Sequence, residues 1–462
     1  VPCEEKYTTG MQLQKELDVE SDALDDNYTP YQIEFPLDAG CRKKISIVCT
    51  IEDAYEKDAF ATAAAEMARF DALEKKAGYH DELAETLTIA ADHFLAYRQS
   101  TGLMTVLAGL PWFTDWGRDT MIALTGITLA TGRYQDARDI LTTFARYVHH
   151  GMVPNMFPDE GTAPLYNTAD ASMWYFYAVG KYLDYTGTPE DYAFVQETIY
   201  PKLKEIIAAY EHGTDFSIYM EEDGLIHAGS GLDQVTWMDV RVGDWVATRH
   251  GKPVEINALW YHALCLMEEW ATRFGEDGSH YATLAAHAKE SFAKEFWNEK
   301  DGCLYDVVDG LEGDATLRPN QIYAVSLPHR MLDAYKEKKI VDKVYEKLYA
   351  KTGLRSLSPD DKEYHPTYEG CLDKRDHAYH QGTSWGFLLG GFLTAYVHVY
   401  GTSKEVITQV DATREQFYHG CIGSIAEIFD GDEPHTSRGC YAQAWSVGEI
   451  LRAYTEDILP YK

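Results

Sequence analysis

The chain has 462 residues, longer than one ordinary domain, and 45% hydrophobic residues, enough for a sizeable core. Its 74 acidic and 41 basic side chains give a net charge of −33, which excludes nucleic-acid phosphates and anionic membranes as expected partners but not a neutral polymer. Solubility alone would explain such acidity; the 33 Tyr and 10 Trp suit a surface that handles carbohydrate, although a large core also absorbs aromatics.

Eight Cys are scattered without a CxxC pair or a tight framework, so reduced thiols in a cytoplasmic protein are expected. No apolar run is long enough to span a bilayer. The start, Val-Pro-Cys-Glu-Glu-Lys, does not read as a signal peptide, and without an initiator Met the chain reads as a fragment or a processed form.

Residues 1–52 differ from the rest. Tyr31–Gly40 alternates and then turns, and Lys44–Ile51 is β-branched, so both read as strands. Two or three strands do not make a stable sheet alone. The segment is expected to end a truncated β-sandwich or to pack on the next domain. Residues 53–79, rich in Ala, Glu and Lys, read as a linker helix.

Apolar periodicity and Gly or Pro punctuation then predict twelve helices, at 81–99, 119–131, 134–149, 168–186, 189–212, 254–274, 279–297, 319–327, 332–351, 382–400, 403–419 and 440–457. Helices with one charged face, such as that around Gln135-Asp-Ala-Arg-Asp, alternate with helices that are apolar nearly all round, such as that around Trp385-Gly-Phe-Leu-Leu. A helix apolar on all sides is buried on all sides. Outer helices alternating with inner ones describe six αα-hairpins closed into a ring. The expected fold is therefore mainly α, an (α/α)6 barrel over residues 80–462 with a short N-terminal β segment. A solenoid would show self-similar repeats, and none are seen.

Links from inner to outer helices are short, and links back are long: 100–118, 151–167, 213–253, 298–318, 352–381 and 420–439. The long ones all fall at one end of the ring, and they carry the unusual motifs. The first ends Trp112-Phe-Thr-Asp-Trp-Gly-Arg-Asp, bringing Asp115, Arg118 and Asp119 close to Trp112 and Trp116. An Arg–Asp pair beside indoles holds vicinal sugar hydroxyls, although Asp119 also suits the positive end of a helix. Asn167 and Asp170 take the same place before the next inner helix, with Thr168 an ordinary cap.

The longest stretch, Ser230 to Asn257, carries Trp237 and Trp245 and the carboxylates Asp233, Asp239, Asp244 and Glu255. A loop of this length is functional or disordered, and its aromatics argue against disorder. Asp239 lies beside Trp237, Met238 and Val240. Apolar neighbours raise a carboxyl pKa, the tuning a general acid needs; a structural Asp bonded to loop amides is the plainer reading. Lys252 and Glu255 open the next inner helix and are expected to face the same bowl, as are Gln381 and Trp385. Glu427, between Ala426 and Ile428, suggests a buried carboxylate with a task. Asp430-Gly-Asp-Glu resembles part of a calcium loop without the rest of its spacing, so no metal is expected. No phosphate loop or nucleophile elbow is present, and no cofactor is expected.

Several of these motifs together resemble a known family: Gly109-Leu-Pro-Trp-Phe-Thr-Asp-Trp-Gly-Arg-Asp-Thr-Met-Ile-Ala-Leu, Thr236-Trp-Met-Asp, Gly251-Lys-Pro-Val-Glu-Ile-Asn-Ala-Leu-Trp and Ala442-Gln-Ala-Trp-Ser-Val-Gly-Glu-Ile-Leu-Arg. They are similar to the C-terminal catalytic domain of glycogen debranching enzymes, the amylo-α-1,6-glucosidase family, from about residue 80 to the end. The resemblance implies an (α/α)6 barrel and an inverting glucosidase acting on glycogen or another α-glucan. It implies Asp239 as general acid, Glu427 as general base, and Arg118 with Asp119 as substrate-holding pair. The full eukaryotic enzyme also carries a glucanotransferase domain, which nothing in this sequence supplies. Alternatives on the same barrel are an exo-α-1,4-glucosidase, a trehalase-like hydrolase and a catalytically silent glucan-binding protein.

Overall fold

A computed structural model describes residues 6–18, 22–51, 53–158, 163–242, 245–246 and 249–462. Near the N-terminus, strands Lys6–Gln12 and Leu24–Thr29 pair antiparallel around the short helix α1 (Gln14–Asp18). Residues 31–50, expected as two strands, carry none. Their apolar side chains, including Tyr31, Ile33, Leu37 and Ile47, are exposed, so no sheet or core face selects the extended pairing.

The linker helix α2 (Ala59–Ala77) starts on an Asp58 cap, ends where Gly78 turns left-handed, and buries none of its residues. The helical body begins with α3 (Glu82–Asp92). The sequence pattern carried this helix on to residue 99. Instead Leu95–Arg98 turns back through Gly102 (φ 70°) and pairs with Leu103–Val106.

Next come α4 (Gly117–Leu124), extended by a π-helical turn over Thr125–Leu129, then α5 (Tyr134–Tyr147) and α6 (Asp170–Thr186). Helix α7 (Pro189–Phe194) runs through a second π-helical turn into α8 (Tyr200–His212), and α9 (Val254–Arg273) and α10 (Ser279–Glu295) succeed it. The short α11 (Tyr323–Ser326) and α12 (Ala334–Lys347) precede α13 (Leu372–Tyr379), which the sequence reading missed because its Leu-Asp-Lys-Arg-Asp-His-Ala-Tyr has no apolar period. The series ends with α14 (Leu388–Tyr400), α15 (Lys404–Asp411) and α16 (Ala444–Ala453). The tenth expected helix thus loses residues 382–387, where Ser384–Trp385 joins a sheet instead.

Six of these helices touch in a closed cycle: α4 meets α6, α6 meets α9, α9 meets α11, α11 meets α14, α14 meets α16, and α16 returns to α4. Every residue of α4 and of α16 is buried, the environment an all-round apolar helix demands. The amphipathic helices lie outside the cycle, α3 on α16, α10 on α9 and α12 on α14. Helix α5, for example, buries only its Ala137, Ile140, Leu141 and Phe144 stripe and short residues beside it. First and last members of the cycle approach so closely that a Cβ on Gly126 would lie 1.8 Å from the Gly448 carbonyl oxygen, so neither position has room for a side chain.

Small antiparallel ladders tie the long loops together. Leu354–Arg355, Ser384–Trp385, Ile428–Phe429 and Ser437–Arg438 form one four-stranded sheet, with Trp385 opposite Ile428. Gly109–Leu110 pairs with Ala442–Gln443, joining the first loop to the last. These ladders fix where the loop side chains point.

Candidate active site

A cavity of about 160 Å³ opens among these loops. Its walls include Phe113, Trp116, Trp237, Trp385 and Trp445, and its polar groups are Arg118, Asp119, Asp239, Tyr379, Glu427 and Gln443. Residues from α4, from the long central loop and from both of the last two long loops therefore converge on one small aromatic box.

Arg118 and Asp119 come from the first turn of α4. Arg118 Nε donates to Asp170 Oδ1 at 2.7 Å, Nη2 donates to Thr168 at 3.3 Å, and Nη1 donates to Asp239 Oδ2 at 3.2 Å. Asp170, at the start of α6, lies behind the wall and orients the guanidinium. Asp119 accepts from Gln443 Nε2 at 3.3 Å. Burial pushes its carboxyl up to about 8 against the pull of Arg118, and the charges of Glu427 and Asp239 add to the rise.

Asp239 is carried by a loop that its neighbours lock. Trp237 donates from Nε1 to Asn320 at 2.7 Å, and Asn320 donates to Asp306 at 2.8 Å. The Asp239 carboxyl keeps 30% of its side chain exposed to the cavity. Its apolar sequence neighbours led to an expected rise in pKa, and the structure reverses this. Burial does act upward, but His380 and Arg118 outweigh it and hold Asp239 below the usual carboxylate value. Neither partner is visible from the local sequence, since both lie far away along the chain.

Glu427 is placed by the four-stranded sheet. Its Oε1 accepts from the Tyr379 hydroxyl and its Oε2 from the Cys440 amide at 2.9 Å. Gly439 (φ 62°) beside it has no alternative, because a Cβ there would lie 2.4 Å from Glu427 Oε2. Burial pushes the carboxyl up to about 7 against both donors, helped by the charge of Asp239. Further along the same loop, Asp430 is held by Arg438 at 2.8 Å and Glu433 by Lys351 at 2.6 Å.

Six further expected site residues stand outside the cavity. Trp112 is 63% exposed and packs edge-on against Tyr441; the indole on the cavity wall from that loop is Trp116, four residues on. Asp115 is buried behind the wall, paired with Arg98 at 3.0 Å and accepting from Thr105 at 3.0 Å. Asn167 is half-buried and outside the lining. Lys252 is buried among Asp223, Glu295 and Glu221, at 2.5, 2.9 and 3.4 Å. Glu255 pairs with Arg249, which also reaches Asp306 at 2.6 Å. Gln381 accepts from Arg318 at 2.6 Å. Position in a long loop was the only ground for facing these groups to the cavity. Charged residues there also satisfy one another beneath the loops, and Lys252, Glu255 and Asp306 do so to anchor the ends of the central one. Asp244 lies outside the described residues, as does the side chain of Trp245.

Sequence reasoning missed Tyr379, His380, Phe113, Gln443 and Trp445 as site groups. Gln443 and Trp445 stand in the Ala-Gln-Ala-Trp motif, a signal that was available. The Gln443 Oε1 and Trp445 Nε1 atoms are buried and have no hydrogen-bond partner among the described residues, as polar groups awaiting a ligand would.

Residues 89–452 match the family described as amylo-alpha-1,6-glucosidase. A curated relative, the glycogen debranching enzyme of Saccharomyces cerevisiae, is 27% identical over 79% of this chain, and the match spans 31% of that protein's length. Among solved structures, an uncharacterized conserved protein from Thermus thermophilus superposes with a TM-score of 0.58 at 15% identity, covering 79% of this chain and 99% of that one. A GH63 mannosylglycerate hydrolase from the same organism, solved with Tris, gives 0.57 at 13% identity, covering 81% and 99%. These two likenesses concern the fold. With most of its length matched by the family model, the chain belongs to the amylo-alpha-1,6-glucosidase family, a family of glycoside hydrolases.

Proposed function

We propose that this protein is an inverting glycoside hydrolase that removes α-1,6-linked glucose from branch stubs of glycogen or a similar α-glucan. The observation that carries the reading is the convergence of Asp239 and Glu427, from two separate long loops, on one aromatic-walled cavity that also holds Arg118 and Asp119. At about 160 Å³ the cavity is smaller than the roughly 300–1,000 Å³ of drug-sized pockets and suits one sugar ring, as release of single glucose requires. The name of the yeast relative supports a glucan as substrate. On the same reading the closed helical cycle with its outer partners is an (α/α)6 barrel over residues 80–462, following an N-terminal β segment (1–52) and a linker helix (53–79). The seven free thiols among the described residues suit the cytoplasm.

In the mechanism we infer, Trp116, Trp237 and Trp385 enclose the glucose ring, and Arg118 with Asp119 holds its hydroxyls. Asp239 protonates the departing glycosidic oxygen. Glu427 takes a proton from a water on the opposite face of the ring as that water attacks the anomeric carbon. An inverting pair needs room for that water, with carboxyls about 6.5–9.5 Å apart. The pair works with one proton between its two carboxyls. In the free enzyme Arg118 and His380 favour the charged form of Asp239, which gives that proton to Glu427. Sugar hydroxyls that take over the Arg118 donors release Asp239 to accept it.

The depressed Asp239 and raised Glu427 favour a second reading, with the two roles exchanged. Glucose release from a glucosyl-branched dextrin, maltose and trehalose, with the first product anomer followed by proton NMR, tests the function. β-Glucose from the branched dextrin is the expected result. Initial α-glucose rejects inversion, and faster release from maltose or trehalose rejects the linkage.

A further inference from the structure

We propose that the dipeptide Tyr379-His380 is a single positioning element for both working carboxyls, Tyr379 holding Glu427 and His380 holding Asp239. The proposal deepens the inverting-pair reading and rests on it. The two residues close α13, the polar helix that packs against Arg241–Val242 of the central loop. The Tyr379 hydroxyl donates to Glu427 Oε1. One residue on, His380 Nε2 accepts the Asp239 amide at 3.3 Å and lies 3.7 Å from Asp239 Oδ1. Each side of the peptide thus reaches a different carboxylate.

The dipeptide is itself immobilised. The Tyr379 carbonyl accepts from Trp385 Nε1 at 3.0 Å and from Thr383 at 2.6 Å, and the His380 carbonyl accepts from Arg318 at 2.7 Å. The His380 ring stacks on Trp385, 5.0 Å between centroids and 14° from parallel, and meets the edge of Trp237 at 5.3 Å. The ring turns Nε2 toward Asp239 and Nδ1 away from it. That Nδ1 is buried and has no hydrogen-bond partner among the described residues, so the ring is held by its Nε2 contact and its stacking alone.

The groups facing Glu427 are Asp119 from α4, Asp239 from the central loop, Tyr368 and Tyr379 from the fifth long loop, and Cys440 from its own loop. Two of them donate to its carboxylate, the Tyr379 hydroxyl and the Cys440 amide. Removing the hydroxyl withdraws support from the charged form that a base needs. His380 acts on the other partner.

The test measures kcat/KM against pH on a glucosyl-branched dextrin and on α-D-glucosyl fluoride, whose fluoride leaves without a proton. Tyr379→Phe keeps the ring and is expected to move the limb set by Glu427 up by roughly one pH unit, the alkaline limb on the dextrin, which needs the shared proton, and the acid limb on the fluoride, which does not; on both, a tenfold loss below that limb disappears above it. His380→Gln is expected to lose at least about tenfold more on the dextrin than on the fluoride, the part of general acid catalysis it supports. Infrared difference spectra against Glu427→Gln read the same displacement of the Glu427 carboxyl without any activity. An unmoved Glu427 titration in Tyr379→Phe overturns the proposal, as do equal losses on both substrates in a folded His380→Gln. If wild-type enzyme releases glucose from neither substrate, the hydrolase reading fails, and the infrared titration still decides the role of Tyr379.

Discussion

Arg118 reaches Asp239 across the cavity wall, Nη1 to Oδ2 at 3.2 Å, while its Nε stays fixed on Asp170 at 2.7 Å. Asp170→Ala would leave the guanidinium buried with one of its two carboxylates gone. Breaking a buried pair from one side typically costs about 3–5 kcal/mol. A loss of that order in denaturant unfolding is expected, with turnover falling as Arg118 drifts. A variant as stable as wild type would show that Asp170 does not orient Arg118.

Asp239→Asn and Glu427→Gln are expected to separate by leaving group. Asp239→Asn should lose roughly 10²- to 10⁴-fold on a branched dextrin and much less on α-D-glucosyl fluoride, since fluoride needs no acid. Glu427→Gln should lose on both, because both need an activated water. The opposite pattern would assign the acid role to Glu427.

The raised carboxyls make stability fall with pH. Both Asp119 (about 8) and Glu427 (about 7) keep their protons in the folded state above the ordinary carboxylate range, where the unfolded chain has released them. The folded state therefore binds more protons between about pH 4 and 8, and stability declines by up to roughly 1.4 kcal/mol per pH unit per group. Asp119→Asn removes one such group. Its stability relative to wild type is expected to improve from pH 5 to pH 8, measured by urea unfolding at both. A pH-independent difference would mean that Asp119 ionises normally.

Trp237 and Trp112, both carried by long loops, are expected to behave oppositely. Trp237 is buried against Trp385, Phe387 and His380 and bonded to Asn320, so Trp237→Ala should cost about 3–5 kcal/mol and most of the turnover. Trp112 is exposed, so Trp112→Ala should change stability by under about 0.5 kcal/mol. Melting curves of the two variants check this.

The alternation of amphipathic and all-apolar helices is legible in the sequence because periodicity records burial directly, which is why α5, α9 and α12 fall close to their expected bounds. Boundaries fail where strand pairing competes, with a near neighbour at Leu95–Arg98 and with distant loops at Ser384–Trp385. At the site, Arg118, Asp119 and Asp239 are recoverable because they stand in specific motifs, and Glu427 because Ala426 and Ile428 flank it with apolar side chains. The direction of Asp239's pKa is not, because Arg118 and His380 act on it from elsewhere in the chain. Nor does loop membership separate Glu255, which braces a loop from below, from Asp119, which faces the cavity. Composition is the same for both, and the ion pair with Arg249 decides.

The contact of Gly126 with Gly448, and the pairing of Gly109–Leu110 with Ala442–Gln443, join segments far apart in the sequence. A polypeptide emerging from the ribosome cannot make either contact until residues 442–448 have been added. Until then α4 lacks the neighbour that buries its other side, and Asp119 lacks Gln443. Contacts of such long range form late and slow folding. A chain stopped before Gln443, Trp445 and Gly448 therefore leaves that face of α4 uncovered, its helical cycle open and its cavity without one wall.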